Sequence, residues 1–438
     1  MKRLVWLVLI VALALTAASL REPETTLVTF RPAIILEGQE AAAGVWYCPW
    51  LQSSFERSGS VAAASVVPAT ASFTFPNPEP GQDADTVSLD LAGPGAVALT
   101  MTDVAVRGSV PGFVEFSDGP AGAAVLIESD TTVSADSCIA SQPKVWYLTG
   151  GSTAQDESLT LRLFNPFPEG AIVTAAAVSE FGPEPLPGFD AIPVPPRSFV
   201  DLILDEELRL RESVSVTVIA AEGIVIPTFA MANPEDEAFW TGTGLSTRWE
   251  FPVVRGGAIE PQLAITNPGT TAATIEIDVF TPDGPTPSAR SELVPPETPL
   301  LIPLGDLADS ALGIRVRSDV AVAATVVAKG GGLAGTAGVS QPSNRWLVPG
   351  AGAAANGVTS LWVMNSGDEP VTATLQPLSA TSLAVDKIAL PPGTIRQVIV
   401  EDPESIGYLI DSLTPISIAW SVRSDEGIAF SSAVAVGP

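Results

Sequence analysis

A chain of 438 residues with a formal charge of −28, 40 Pro, 37 Gly and no histidine is too long for one β core and, at 16 % charged side chains, too poor in charge for long solvated helices. The acidity disfavours nucleic acid and anionic lipid surfaces as partners and is expected to keep an apolar-rich chain soluble. Without imidazole no Ser-His-Asp or Cys-His arrangement exists, and the commonest general base and metal ligand is missing.

Lys2 and Arg3 precede an apolar-to-small run from Leu4 to Leu20, followed by the polar Arg21-Glu22-Pro23-Glu24. Residues 1–20 are therefore expected to be a signal peptide or an N-terminal membrane-anchor helix, with 21–45 as a juxtamembrane segment. Either form places the remainder outside the cytoplasm, secreted or anchored, with the membrane touched through this segment alone. Cys48 and Cys138 are the only cysteines. In an oxidising compartment they are expected to form a disulfide closing a loop of about 90 residues.

Downstream the chain repeats itself. Trp46, Trp146, Trp249 and Trp346 recur at spacings near one hundred, three of them in Trp-x-x-Pro. Each is followed by an alternating strand such as Leu159–Leu163 or Leu263–Thr266, then by Asn165-Pro166, Asn267-Pro268 or Asn365-Ser366, where Asn accepts turn hydrogen bonds. Asn77-Pro78 is the divergent counterpart in the first copy. Further strands start at Ile275 and Val371, and Pro195-Pro196, Pro295-Pro296 and Pro391-Pro392 mark a loop. Strands at Val214–Val218, Gly313–Val316 and Ile416–Trp420 precede closing strands at Ile224–Phe229, Val320–Val326 and Ile428–Val436. Short helical turns are expected near 205–211 and 404–408. Six or seven strands per copy predict an all-β tandem array of about four immunoglobulin-like β-sandwich domains, bounded at 46–143, 144–247, 248–344 and 345–438. The competing arrangement is a β-propeller of eight blades of about 50 residues, disfavoured because the marks repeat at one hundred.

The stretch Trp146-Tyr147 through Gly150-Gly151, Asn165-Pro166, Pro195-Pro196-Arg197 and Val214-Ser215-Val216 resembles tandem repeats of actinobacterial exported proteins that run Trp-Tyr-Phe-x-x-Gly, Asn-Pro, Pro-x-x-Arg. The leader with Trp46-Tyr47-Cys48-Pro49 is similar to a related family of actinobacterial extracytoplasmic proteins of unknown function. The resemblance spans most of Trp46–Pro438, weakens in the third and fourth copies, implies an envelope location and transfers no catalytic residues.

No nucleophile elbow, phosphate loop or dinucleotide fingerprint is present. No catalytic residue, cofactor or metal ligand is assigned. The acidic runs Asp83 with Asp85, Asp205-Glu206-Glu207 and Glu235-Asp236-Glu237 are expected to be solvated, and Gly330-Gly331-Gly332 through Gly338 a flexible loop or bulged edge. The repeated tryptophans are assigned to packing. Trp50, Phe55, Phe239, Trp240 and Trp362, which no repeat demands, are the candidate ligand contacts. The expected function is a non-catalytic cell-envelope scaffold or protein-interaction module whose partner is an envelope protein or cell-wall glycan. A carbohydrate-binding, adhesin-like array is the second hypothesis and a histidine-free glycoside hydrolase the third.

Overall fold

The alternation in the sequence is carried into strands: in Ala69–Phe75, Ala171–Ser179 and Val371–Pro377 every second side chain is buried. The computed structural model describes residues 44–438 apart from 55, 77–83, 105–107, 256–259, 308–311, 330–331, 353, 355–356, 380–384, 401–404, 426 and 437–438. The expected leader over 1–20, Phe55, Asn77, Pro78 and Asp83 lie outside the described residues.

The first stretch supplies β1 (Val45–Ser53), β2 (Ser58–Ser65), β3 (Ala69–Phe75), β4 (Asp85–Leu91), β5 (Gly95–Thr100), β6 (Gly108–Phe116), β7 (Ala121–Glu128) and β8 (Val133–Ser137). The second supplies β9 (Val145–Gly151), β10 (Ser158–Asn165), β11 (Ala171–Ser179), β12 (Gly182–Glu184), β13 (Ile192–Val194), β14 (Ser198–Ile203), the one-turn helix α1 (Leu204–Glu207), β15 (Val214–Glu222), β16 (Ile226–Ala232) and β17 (Glu237–Thr241). In the third are β18 (Ser246–Arg255), β19 (Glu260–Thr266), β20 (Ala273–Thr281), β21 (Gly284–Val294), β22 (Leu300–Pro303), β23 (Leu312–Lys329) and β24 (Ala334–Ala337). The fourth holds β25 (Ser343–Pro349), β26 (Val358–Asn365), β27 (Val371–Pro377), β28 (Asp386–Leu390), β29 (Thr394–Ile399), β30 (Gly407–Arg423), β31 (Ile428–Ser432) and β32 (Val434–Ala435).

All four stretches share one strand order. One sheet runs β1-β6-β3-β4 and recurs as β9-β15-β11 with β12 and β13 beside β11, as β18-β23-β20-β21 and as β25-β30-β27-β28. The other runs β5-β2-β7-β8 and recurs as β14-β10-β16-β17, β22-β19-β23-β24 and β29-β26-β30-β31. Eight strand positions replace the expected six or seven. The order also departs from the immunoglobulin one, in which the sixth and seventh strands are neighbours in one sheet. Here the seventh strand continues the sixth into the opposite sheet. In β23, Gly313–Ser318 pair with β20 and Ala323–Lys329 with β19, so the two strands expected at 313–316 and 320–326 are one. β30 does the same between β27 and β26, and Gly407 and Tyr408, expected near a helical turn, are its first residues. Long strands that switch sheets make such corners. In the first two units a turn interrupts the crossing, with Gly119 and Gly223 at positive φ.

The units pack in a closed circuit rather than as beads on a string. β1 lies against β16 and β10 of the second unit, β9 against β23 and β19 of the third, and β18 against β30 and β26 of the fourth. β25 of the fourth unit then packs on β7 and β2 of the first. The eighth strands β8, β17, β24 and β31 touch in the same cyclic order. Each apolar core accordingly takes in neighbours: Tyr47 joins the second unit's core, Trp362 and Met364 the third's, and Leu347 and Leu409 the first's. The described residues from 44 onward form one compact unit. Part of the glycine run expected to be a flexible loop or bulged edge is β24, an edge strand paired with β23, where a Cβ on Gly335 would clash with the Trp240 ring.

Candidate functional site

At the junction of the first and second units, side chains from β1, β3, β4 and β6 meet two loops of the second unit around a cleft of about 490 Å3. Val45 and Tyr47 come from β1, Phe113 and Glu115 from β6, Thr74 and Thr86 from β3 and β4, and Phe167 and Arg197 from the loops. Period two explains the set: Tyr47 and Val45, and likewise Phe113 and Glu115, are alternate residues and share a face. The Tyr47 ring stands 6.5 Å from Phe113 and 5.8 Å from Phe167. Its hydroxyl accepts from Gln142 Nε2 at 2.6 Å. Burial, reinforced by the Glu115 charge, pushes this phenol up to about 12, so it stays protonated. The Thr74 and Thr86 hydroxyls are paired at 3.2 Å.

The two loops are tied by Asn165. Its Nδ2 donates to Glu169 O at 2.8 Å, Val194 O at 3.3 Å and Pro195 O at 3.1 Å, while Oδ1 accepts from Phe167 N at 3.0 Å. Arg197 N then donates to Phe167 O at 2.9 Å. One amide thus joins the Asn-Pro turn to the Pro-Pro loop, which explains why both marks recur with one period. Asn365 makes the equivalent bonds to Glu369 O, Leu390 O and Pro391 O and accepts from Gly367 N. Asn267 binds Thr271 O, Val294 O and Gly269 N in the same way. In the first unit β2 ends on Ser65, whose hydroxyl bridges to Val67 O and accepts from Val67 N. Ser65, rather than the more distant Asn77, occupies this position.

The model of the family of unknown function DUF5719 matches residues 114–334, just over half of the chain. The chain belongs to that family. No curated protein matches this DUF5719 chain. A crystal structure described as a tetra-tandem repeat in the extending region of a large adhesion protein aligns at 10 % identity over 85 % of this chain and 92 % of that one, with a TM-score of 0.08. That superposition is too poor to carry the fold across.

In the DUF5719 chain the four repeated tryptophans are buried, Trp46 at 6 % exposure and Trp146, Trp249 and Trp346 at 3 % or less. Trp249 and Trp346 donate their indole N–H to Val322 O and Ile416 O on the sheet-crossing strands. The candidate ligand contacts Trp50, Phe239, Trp240 and Trp362 are buried as well, and their rings are taken up by protein. Trp50 donates to Glu237 Oε1 at 3.0 Å beneath the Arg162 guanidinium, 4.0 Å from the ring centroid. Trp240 donates to Thr149 O and meets Phe229 edge-on, and Trp362 donates to Ser421 Oγ. Cys48 and Cys138 form the expected disulfide, linking β1 to the residue after β8. Among the described residues no group of three or more Cys, Asp or Glu could hold a metal ion, and no helix is long and apolar enough to cross a membrane.

Two of the acidic residues expected in solvent are structural in the DUF5719 fold. Asp236 accepts from Leu333 N at 2.7 Å, and Glu237 accepts from Trp50 and pairs with Arg57, so the β16–β17 turn binds both the third and the first units. Nearby, Asp136 of β8 is partly buried. Its carboxylate accepts from Thr241 N at 3.0 Å, Thr241 Oγ1 at 3.2 Å, Ser431 Oγ at 3.1 Å and Ser137 N at 3.0 Å. Burial outweighs these donors and pushes the group up to about 7. Sequence reasoning missed the cleft residues Tyr47, Phe113, Glu115, Phe167 and Arg197. The available signal was a departure from the repeat: Phe167 stands where the other copies have Gly269 and Gly367, and Arg197 where they have Glu297 and Gly393.

Proposed function

We propose that this protein is an extracytoplasmic, non-catalytic interaction protein, in which a closed circuit of four β-sandwich units holds the cleft between the first and second units in fixed geometry for a partner in the cell envelope. The observation that carries the proposal is the cleft itself, a concave site at a junction between units, with an apolar aromatic wall and a few polar groups at its edges, the make-up of binding sites in general. The disulfide suits an oxidising compartment. The basic-then-apolar 1–20 segment is the export signal in this proposal, cleaved or kept as an anchor, with the C-terminus outside. The lack of histidine and the engagement of Asp136, Asp236 and Glu237 in bonds between units leave these groups with architectural work.

The test is co-sedimentation of the purified full chain with isolated envelope from its own cells, together with analysis of the supernatant. The expected result is saturable retention without released sugar or peptide. Retention that fails to saturate would remove the interaction role, and turnover of envelope material would remove the non-catalytic one.

A further inference from the structure

We infer that the cleft is a binding site for a neutral pyranose glycan, an assignment that rests on the interaction role above and names its ligand. The internal repeat acts as the control. The asparagine tie is present in the second, third and fourth units, and the residue after Pro-Pro has positive φ in each: 47° at Arg197, 52° at Glu297 and 66° at Gly393. The scaffold therefore needs neither an aromatic ring nor a cation there. Only the second unit places Phe at position 167 and Arg at 197, and these two line the cleft. The backbone bond from Arg197 N to Phe167 O fixes the pair relative to each other.

The lining has the two chemistries a pyranose presents. Phe113 and Phe167, partly buried and backed by the core ring of Tyr47, offer a tilted aromatic wall to the apolar C–H face of a sugar ring. Glu115 can accept from vicinal hydroxyls, Arg197 can donate to hydroxyl or carbonyl oxygen, and Thr74 and Thr86 can do both. The volume falls within the range of about 300–1,000 Å3 usual for small-molecule sites. A polyanionic glycan is disfavoured by Glu115 at the wall and by the chain's charge of −28. An extended peptide has no ladder to join on the β1 side, because Tyr47 N and O are already bonded to Ile139 O and N at 2.8 and 2.9 Å.

Calorimetric titration of the full chain with chitotetraose, mannotetraose and maltotetraose tests the assignment. At least one probe is expected to bind at a single site. The double variant Phe167→Gly, Arg197→Gly, which installs the residues of the fourth unit, is expected to bind roughly tenfold or more weakly at an unchanged unfolding temperature, and Glu115→Gln also weakens binding. The absence of saturable heat with every probe, or wild-type affinity in the double variant, overturns the glycan assignment. Should the double variant be destabilised, irradiation of aromatic proton resonances in the unaltered protein decides: transfer to the ring protons of a bound probe supports the site, and its absence overturns it. Saturable envelope retention without oligosaccharide binding removes the glycan and leaves the interaction role standing.

Discussion

Ser417 donates its hydroxyl to Glu250 across the boundary of the third and fourth units, Oγ to Oε2 2.5 Å. Glu250 follows Trp249, at the position that carries Tyr47, Tyr147 and Leu347 in the other copies; Tyr47 and Leu347 enter the neighbouring unit's apolar core. A fully buried carboxylate at that position is held by Ser417, by Ser366 Oγ at 2.7 Å and by Arg248. Glu250→Ala removes the acceptor of two buried hydroxyls, leaving Ser417 without it and Ser366 with only the bond it accepts from Arg248, while Arg248 is exposed enough to be resolvated. The expected cost is about 2–3 kcal/mol, with a smaller loss for Glu250→Gln. The midpoint of denaturant unfolding measures both, and an alanine variant within about 0.5 kcal/mol of wild type would show that this network does not hold the boundary.

The asparagine tie makes a sharper distinction between donor and acceptor. Asn365→Asp keeps the oxygen that receives Gly367 N but loses the Nδ2 donor to Glu369 O, Leu390 O and Pro391 O. Both Asn365→Asp and Asn365→Ala should lower stability by about 2–3 kcal/mol, because buried carbonyls lose their partner in each. If the aspartate variant retains wild-type stability in thermal unfolding, the Nδ2 bonds are not what joins turn to loop.

Local periodicity made the strands and the repeat legible. Leu159–Leu163, Ile275–Val279 and Val371–Leu375 alternate, and each lies within a strand that the structure contains. The crossing strands were hidden because Ser318-Asp319 and Pro415 break the apolar pattern at the corner, where the chain leaves one sheet for the other. Glu235-Asp236-Glu237 has the composition of a solvated turn; its partners Arg57, Trp50 and Leu333 are about a hundred residues or more away. The cleft draws on β1, β3, β4, β6 and two loops of the next unit, a convergence that no local pattern specifies.

The Cys48–Cys138 bridge spans 90 residues of the first unit. On the chain-entropy account its removal should cost about 4–5 kcal/mol, by raising the entropy of the unfolded chain. Cys48→Ser, Cys138→Ser should therefore unfold at a markedly lower denaturant concentration than the oxidised protein. Equal midpoints would mean that the unfolded chain is already compact in this region.

Asp136 makes stability depend on pH. Its folded value of about 7 lies above the ordinary carboxylate value of 3.8, so the folded state holds the proton more tightly than the unfolded state. The stabilisation is complete below about pH 4 and is lost as pH rises towards 7, by up to about 4 kcal/mol. Asp236, pushed up to about 6 chiefly by burial, acts in the same direction. Asp278 acts oppositely: burial disfavours its charge, but Arg317 and Arg315 outweigh it and hold the group at about 2, so its contribution is present above about pH 4 and lost in stronger acid. Asp136→Asn should flatten most of the decline between pH 4 and 7 and leave the part due to Asp236. Thermal unfolding across that range would contradict this if the variant and wild type fell in parallel.

Closure of the circuit makes a prediction about cooperativity. Ser137 N donates to Ser431 Oγ at 2.9 Å as well as to Asp136 Oδ1, and Ser137 Oγ donates to Ser432 O at 2.6 Å, joining the first unit to the last. Ser432 in turn donates its N–H to Thr336 Oγ1 at 3.2 Å and its hydroxyl to Ala337 O at 2.8 Å, extending the link to the third unit. Because each apolar core contains side chains of the next unit, opening one unit exposes apolar surface on two others. A linear array of independent sandwiches would melt in steps. The closed circuit should melt as one transition, with the calorimetric enthalpy close to the van't Hoff value. Replacing Ser137, Ser431 and Ser432 together by Ala should lower that single transition. Separate transitions in the wild-type protein would show that the contacts between units are too weak to couple them.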